Sequence, residues 1–124
     1  MVNRYLDKKY FVSRELSWLE FNARVLDEAG DRGNPLLERL KFIAIFSNNL
    51  DEFFMIRVAS LKDLVQAGYN QPDPAGLAPL QQLSEISRKT HRMVDRQYST
   101  FQRSLLPNLQ TEGIRLLSAA SLPP

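Results

Sequence analysis

The stretch FSNNLDEFF, residues 46–54, places two amides and two carboxylates inside a long apolar segment. An asparagine side chain has two donors and two acceptors, so Asn49 can pair with a ligand that offers both, such as a nucleobase edge. Asp51 and Glu52 are the kind of paired carboxylates that serve metal binding or acid–base catalysis. Because adjacent helical residues point about 100° apart, these two cannot easily share one ligand. We therefore interpret both as structural, through charge at a helix N-terminus or ion pairs.

Asn49 has three interpretations on sequence alone. It could cap a helix restart, because Asn49 and Glu52 have capping-box spacing and Ser47-Asn48 could be a break. It could instead form an internal hydrogen bond to the first helix, since a buried amide needs a partner. The third interpretation is a recognition site in which the carboxamide contacts a ligand. The residues alone leave these alternatives open.

A second candidate is a set of basic residues spaced by four, four and seven, namely Arg88, Arg92, Arg96 and Arg103, with Lys89 beside them. On one helix they would share a face that could bind a polyanion or a protein partner. Such a stripe is also typical of the solvated side of an amphipathic helix. His91, the one histidine, has no triad-like neighbours in the sequence. No glycine-rich phosphate loop is present either.

Three helices are predicted to position these side chains. Ser17 and Glu20 form a capping box that predicts the start of the first helix, and Gly30 is a suitable end. Asn34 is expected to cap the central helix, with Pro35 in its first position. Apolar residues then continue at helical spacing on two faces, including Phe46, Phe53, Phe54, Ile56, Val58 and Leu61, as far as Gly68. Such a helix is expected to be central in its bundle.

The third helix is predicted over residues 79–106, followed by an interruption at Pro107. Its expected inner side comprises Leu80, Leu83, Ile86, Met93, Phe101 and Leu105. Residues 1–12 are predicted to be a polar arm and residues 68–76 a loop. Residues 114–117 suggest a strand whose partners would lie downstream in a longer parent protein, because one strand is not stable alone.

These elements predict an all-α fold, either an antiparallel helical hairpin or a three-helix bundle, whose C-terminal tail starts the next, α/β domain. The division is residues 1–106 for the helical domain and 107–124 for the linker and the truncated start of that next domain. A length of 124 residues fits one domain. The absence of cysteine excludes disulfides and thiolate metal sites. The net charge of +2 is too small to indicate a partner by itself.

Residues 14–62 resemble the N-terminal domain of bacterial polyphosphate kinases of the phosphohistidine type. The segments ELSWLEFNARVL, NPLLERLKF and SNNLDEFFMIRVA occur in that family in this order and spacing. The resemblance implies a full-length enzyme that reversibly transfers the ATP γ-phosphate to polyphosphate. It also implies that the head domain and two C-terminal domains follow, and that the catalytic histidine and the Mg²⁺ ligands lie there. His91 does not match that histidine, so no catalytic residue is expected here.

Within the SNNLDEF motif, the resemblance implies that Asn49 contacts the adenine of ATP. We still interpret Asp51 and Glu52 as structural residues, which we expect to hold the motif to the first helix through Arg24. The chain is expected to be inactive alone, homo-oligomeric as part of the full-length enzyme, and without nucleic-acid binding or a transmembrane segment. A cytoplasmic location is expected, with peripheral membrane association left open. The alternative is a helical protein- or polyanion-interaction module that uses the Arg88–Arg103 basic face.

Overall fold

The computed structural model describes Asp7 and residues 12–122. Its helices are α1 (Arg14–Gly30), α2 (Leu36–Phe53), a π-helical segment (Phe54–Val58), α3 (Ala59–Gln66), α4 (Pro79–Thr100), a second π-helical segment (Phe101–Leu105), α5 (Leu106–Thr111) and a 3₁₀ turn (Ala119–Ser121). α2 and α3 are continuous through the first π-helical segment, and α4 and α5 through the second. The all-α prediction is therefore confirmed, as three long helices.

The core lies where α1 packs against both α2 and α4, with α3 against α4. Leu19 and Leu26 of α1, Phe46 and Phe53 of α2, and Ile86 of α4 are buried in it. The predicted inner side of the third helix is correct for Ile86, Met93 and Leu105, which are buried, but wrong for Leu80, which is 66% exposed. Leu80 lies in the first turn of α4, on the opposite side from the buried Gln82.

Two predicted helix starts are wrong. α1 begins at Arg14 with Ser13 as its N-cap, so Ser17 lies inside the first turn and donates its backbone N–H to the Ser13 carbonyl at 2.8 Å. α2 begins at Leu36 with Pro35 as its N-cap. The Asn34 side chain does not cap α2, because it donates to the carbonyl and the carboxylate of Glu28 instead. The predicted end of α1 at Gly30 is confirmed.

The central helix does not break at Ser47-Asn48, since α2 is regular from Leu36 to Phe53. Its irregularity comes later, in the π-helical segment Phe54–Val58. There Phe54 and Ile56 are exposed by 41% and 63%, contrary to their expected place on apolar faces. A π-helix has a wider turn than an α-helix, so the predicted α-helical spacing no longer holds through this segment.

Pro107 does not end the third helix. The second π-helical segment precedes it, and there the Leu106 N–H bonds to the Phe101 carbonyl, five residues back. A proline in a regular helix clashes with the carbonyl four residues back, and this wider turn relieves the clash. The helix ends at Gly113, whose positive φ of 84° closes the last turn, in the same way as Gly68 with φ 77° ends α3.

Residues 114–117 form no strand, and none of the described residues does. The partner strands of this segment were expected downstream of this chain, and none lies among the described residues, so the strand stays a prediction. The loop prediction for residues 68–76 is confirmed. The predicted polar arm lies outside the described residues, apart from Asp7 and Val12. In the part of the chain that the structure describes, no helix is long and apolar enough to cross a membrane.

Candidate functional site at the contact of α1 and α2

Asn49 is held by an asparagine of the first helix. Its Nδ2 donates to Asn22 Oδ1 at 3.1 Å, and Asn22 Nδ2 donates in turn to the Phe46 carbonyl at 3.2 Å. Asn22 is fully buried, whereas Asn49 is only half-buried. The internal hydrogen bond that sequence analysis left open is therefore present, and the capping interpretation is wrong because α2 continues through Asn49.

The Asn49 carboxamide keeps unused hydrogen-bonding capacity. Its Oδ1 accepts no hydrogen bond from any described residue, and one of its two N–H groups donates to Asn22. A carboxamide has two donors and two acceptor lone pairs, so an acceptor and a donor remain for a ligand. The bond to Asn22 fixes the orientation of the side chain without consuming that capacity.

The other polar residues of the FSNNLDEFF stretch have different surroundings. Ser47 accepts a hydrogen bond from Gln97 Nε2 of α4 at 2.7 Å, so it joins α2 to the third helix. Asn48, Asp51 and Glu52 are exposed. The expected link from Asp51 and Glu52 to Arg24 is absent from the described residues, because Arg24 lies over the Phe21 ring instead, 5.8 Å from its centroid.

Beside the asparagine pair, α1 and the first π-helical segment enclose a cleft of about 330 Å³. We call it the arginine cleft, because its lining includes Arg14, Arg24 and Arg57. Its aromatic lining includes Trp18 and Phe53, whose rings stack with centroids 4.7 Å apart and an interplanar angle of 8°. Phe53 is one helical turn from Asn49, so the cleft adjoins the asparagine pair along α2.

The second basic surface is the α4 basic face, made of Arg88, Lys89, Arg92, Arg96 and Arg103. Three of its cations have acidic partners. Lys89 Nζ lies 2.5 Å from Glu20 Oε1, Arg88 Nη2 lies 2.5 Å from Glu85 Oε2, and Arg96 pairs with Asp27. The hydrogen bond from Lys89 lowers the pKa of Glu20, and the Arg88 hydrogen bond lowers that of Glu85. Much of this positive charge is therefore already neutralised by the protein.

His91 is exposed on α4, with its Nδ1 2.7 Å from the Ser87 carbonyl. That contact stays within one turn of α4, and it provides no nucleophile or general base. Among the described residues, no three histidine, cysteine, aspartate or glutamate side chains are grouped to hold a metal ion.

Comparison with known proteins decides the family. The family model described as "Polyphosphate kinase N-terminal domain" matches residues 11–117. The chain belongs to this family. The SNNLDEF and neighbouring motifs had indicated this family.

Two curated relatives and one solved structure agree. The polyphosphate kinase of Lactiplantibacillus plantarum is 58% identical over 118 residues, which cover 95% of this chain and 16% of that protein. The polyphosphate kinase of Bacillus cereus is 60% identical over 113 residues, 90% of this chain and 16% of that protein. The crystal structure of the Porphyromonas gingivalis polyphosphate kinase matches with a TM-score of 0.76 at 38% identity, over 92% of this chain and 16% of that chain. The chain therefore spans about one sixth of these relatives.

Sequence analysis missed two residues, Asn22 in the site and Arg39, which joins two of the helices. Asn22 was overlooked, although it stands four residues from both Trp18 and Leu26 on the apolar face of α1. Arg39 is buried, and its guanidinium donates to the Ala29 carbonyl at 2.8 Å and to Ser104 Oγ at 2.7 Å. It thereby ties the end of α1 to the third helix. In the sequence, Arg39 has no feature that distinguishes it from an exposed arginine.

Proposed function

We propose that this domain forms the nucleotide side of an ATP:polyphosphate phosphotransferase and that Asn49 contacts the adenine of ATP. The observation that carries the proposal is the asparagine pair. Asn22, buried and bonded to the Phe46 carbonyl, orients Asn49 while the Asn49 Oδ1 keeps its acceptor capacity. Asn49 is only half-buried, so a ligand can reach this acceptor.

Adenine suits this arrangement chemically. Its exocyclic amino group can donate to Asn49 Oδ1, and an adjacent ring nitrogen can accept from the remaining N–H. Guanine presents a carbonyl at the position of that amino group, so the same carboxamide orientation would leave two acceptors facing each other. Asn49 would therefore contribute both affinity and a preference for adenine.

The transfer chemistry would reside in the rest of the enzyme. We propose that phosphate passes from ATP to polyphosphate through a phosphohistidine outside this chain, in the domains downstream, and that these 124 residues alone are inactive. Mg²⁺ would accompany the ATP. Since the described residues contain no group of three possible metal ligands, we assign no Mg²⁺-dependent step to this chain. We further propose a cytoplasmic, homo-oligomeric full-length enzyme, with peripheral membrane association left open.

The test is steady-state kinetics of a full-length polyphosphate kinase that carries this chain as its N-terminal domain. Loss of one or two hydrogen bonds, worth about 0.5–1.5 kcal/mol each, should raise the KM for ATP about 2- to 150-fold in Asn49→Ala. The KM for polyphosphate should stay within about twofold, because a polyphosphate chain has no nucleobase.

Asn48→Ala is the matched control, since Asn48 is the adjacent amide but is exposed. It should change neither KM. An unchanged KM for ATP in Asn49→Ala, together with a lower melting temperature, would contradict the proposal and make Asn49 a purely structural amide.

A further inference from the structure

The arginine cleft carries more positive charge than its own carboxylates neutralise. Of its three arginines, only Arg57 has an acidic partner, Glu15, and their charged atoms are 4.0 Å apart. Arg14 and Arg24 form no ion pair with any residue that the structure describes. Glu15 is the one carboxylate in the lining of the cleft. The lining thus has a formal excess of two positive charges, since three arginines face one glutamate.

The fold brings these arginines together by helical spacing. Arg14, Trp18, Phe21 and Arg24 follow one stripe of α1, at intervals of four, three and three. Arg57 arrives from the first π-helical segment, four residues beyond Phe53. π-helical turns within longer helices occur frequently at functional sites. Here the π-helical segment contains Arg57, whose half-buried guanidinium lines the cleft.

The aromatic lining strengthens the attraction between each arginine and an anionic ligand. The stacked Trp18 and Phe53 rings are apolar walls that exclude water from one side of the cleft. A charge beside a low-dielectric wall interacts more strongly with an opposite charge than it does in open solvent. A guanidinium also presents five N–H donors in a planar fork, which fits two oxygens of one phosphate.

We infer that the arginine cleft binds linked phosphate groups, with its three guanidinium groups contacting two or more phosphates of one chain. Arg14 and Arg24 are ten residues apart on α1, about 15 Å along the helix axis, a separation that suits a chain of phosphates better than one small anion. Such a ligand could be the polyphosphate chain itself or the phosphates of a nucleotide. The site is separate from the adenine contact of Asn49, because it uses different residues and a different part of the ligand.

Trp18 makes a direct test possible, since it is the one tryptophan of the 124 residues and lies in the cleft. Its fluorescence would be followed while tripolyphosphate is added to this chain at low salt, with calorimetry of the same titration as a second readout. We expect saturable binding of tripolyphosphate, and binding of sulfate that is at least tenfold weaker, because sulfate offers one anionic group instead of three.

Arg14→Gln with Arg57→Gln should weaken tripolyphosphate binding about tenfold or more, because each loses charge-assisted hydrogen bonds. The matched control is Arg32→Gln with Arg115→Gln, which removes the same charge from exposed positions outside the cleft. It should weaken binding less than about twofold. If the first double variant melts markedly lower, Arg24→Gln, at an exposed position, tests the same site and should still weaken binding at least threefold.

Two further titrations separate the sources of phosphate. If the cleft takes a polyphosphate chain, longer chains should bind more tightly than tripolyphosphate, and ATP should bind no better than tripolyphosphate. If it takes nucleotide phosphates, ATP should bind more tightly than tripolyphosphate, and Asn49→Ala should weaken ATP alone.

Failure of the adenine proposal would therefore leave tripolyphosphate binding intact, so the two proposals fail separately. Absence of any fluorescence or heat change with tripolyphosphate would overturn the cleft assignment. Equal weakening in both double variants would overturn it too, because it would show a general charge effect.

Discussion

The arginine cleft has three cations and the α4 basic face has five, and the two surfaces differ in how the protein pairs those charges. On α4, Arg88, Lys89 and Arg96 each contact an acidic side chain. In the cleft, only Arg57 has an acidic partner, Glu15, and their charged atoms are 4.0 Å apart. Aromatic rings line the space beside the three arginines. Counting basic residues along a helix therefore says little about ligand binding. What sets the cleft apart is that two of its three arginines have no acidic partner among the described residues and that aromatic rings line the same space.

This contrast bears on the alternative of a polyanion- or protein-interaction module on the α4 basic face. To contact Arg88, Lys89 or Arg96, a ligand there would have to displace Glu85, Glu20 or Asp27, respectively. The fourth arginine of the predicted stripe, Arg103, lies in the second π-helical segment. Because the turn there is wider, the α-helical spacing that would place Arg103 in line with Arg96 does not apply. The structure thus favours the α1–α2 side as the ligand-binding surface.

The largest change in the free energy of unfolding is expected for a substitution in the aromatic wall of the cleft. Phe53 is buried and stacks on Trp18, so Phe53→Ala should lower the free energy of unfolding by about 3–5 kcal/mol. Tyr98 is the matched aromatic on α4 and is 60% exposed, so Tyr98→Ala should change the free energy by less than about 0.5 kcal/mol. Urea denaturation of both variants measures the difference. Equal losses would mean that the cleft wall is no better packed than the α4 surface.

The next effect concerns the asparagine pair. Asn22→Ala removes the bond to the Phe46 carbonyl and leaves that buried acceptor without its side-chain donor, at a cost of about 1–3 kcal/mol. Asn48→Ala should cost less than about 0.5 kcal/mol, because Asn48 is exposed. The same denaturation experiment compares them.

In a full-length kinase, Asn22→Ala should also raise the KM for ATP, since Asn49 would lose the partner that orients it. A variant that loses stability but keeps its KM for ATP would break the proposed link between Asn22 and the nucleotide.

The smallest effect concerns the α4 basic face and its pH dependence. Because the hydrogen bond from Lys89 lowers the folded-state pKa of Glu20 below 4.5, the pair stabilises the fold above that pH. The stabilisation is lost as the pH falls through the lowered pKa. Lys89→Met should therefore cost about 0.2–1 kcal/mol at pH 7, since Glu20 is mostly exposed, and almost nothing at pH 2. Melting curves across this pH range, in low and high salt, measure the difference. A cost that is unchanged at pH 2 would show that packing of the Lys89 stem, and not the ion pair, is responsible.

The sequence predicted the three helices well, because their apolar residues recur at helical spacing and glycines end two of them. Phe46, Phe53 and Ile86 were expected inside and are buried. The helix starts were predicted less well, since the capping-box patterns at Ser17 and at Asn49 both occur inside regular helices. A four-residue pattern cannot show whether the preceding residues are already helical.

The site was predictable only in part. The SNNLDEF motif drew attention to Asn49, but its partner Asn22 is 27 residues away in sequence and lies on another helix. The arginine cleft was not predicted, because its residues come from two long helices and Arg57 lies within a π-helical turn. Such turns shift the residues after them, and simple α-helical periodicity does not anticipate the shift.

The most direct test of the contrast between the two basic surfaces is NMR mapping of ligand binding on the ¹⁵N-labelled 124-residue chain. Tripolyphosphate should shift the Trp18 indole N–H and the guanidinium N–H signals of Arg14, Arg24 and Arg57. ATP should in addition shift the side-chain amide of Asn49, and neither ligand should move the signals of Arg88, Lys89 and Arg96. Shifts concentrated on α4, with the cleft signals unchanged, would contradict the account and make the α4 basic face the ligand-binding surface.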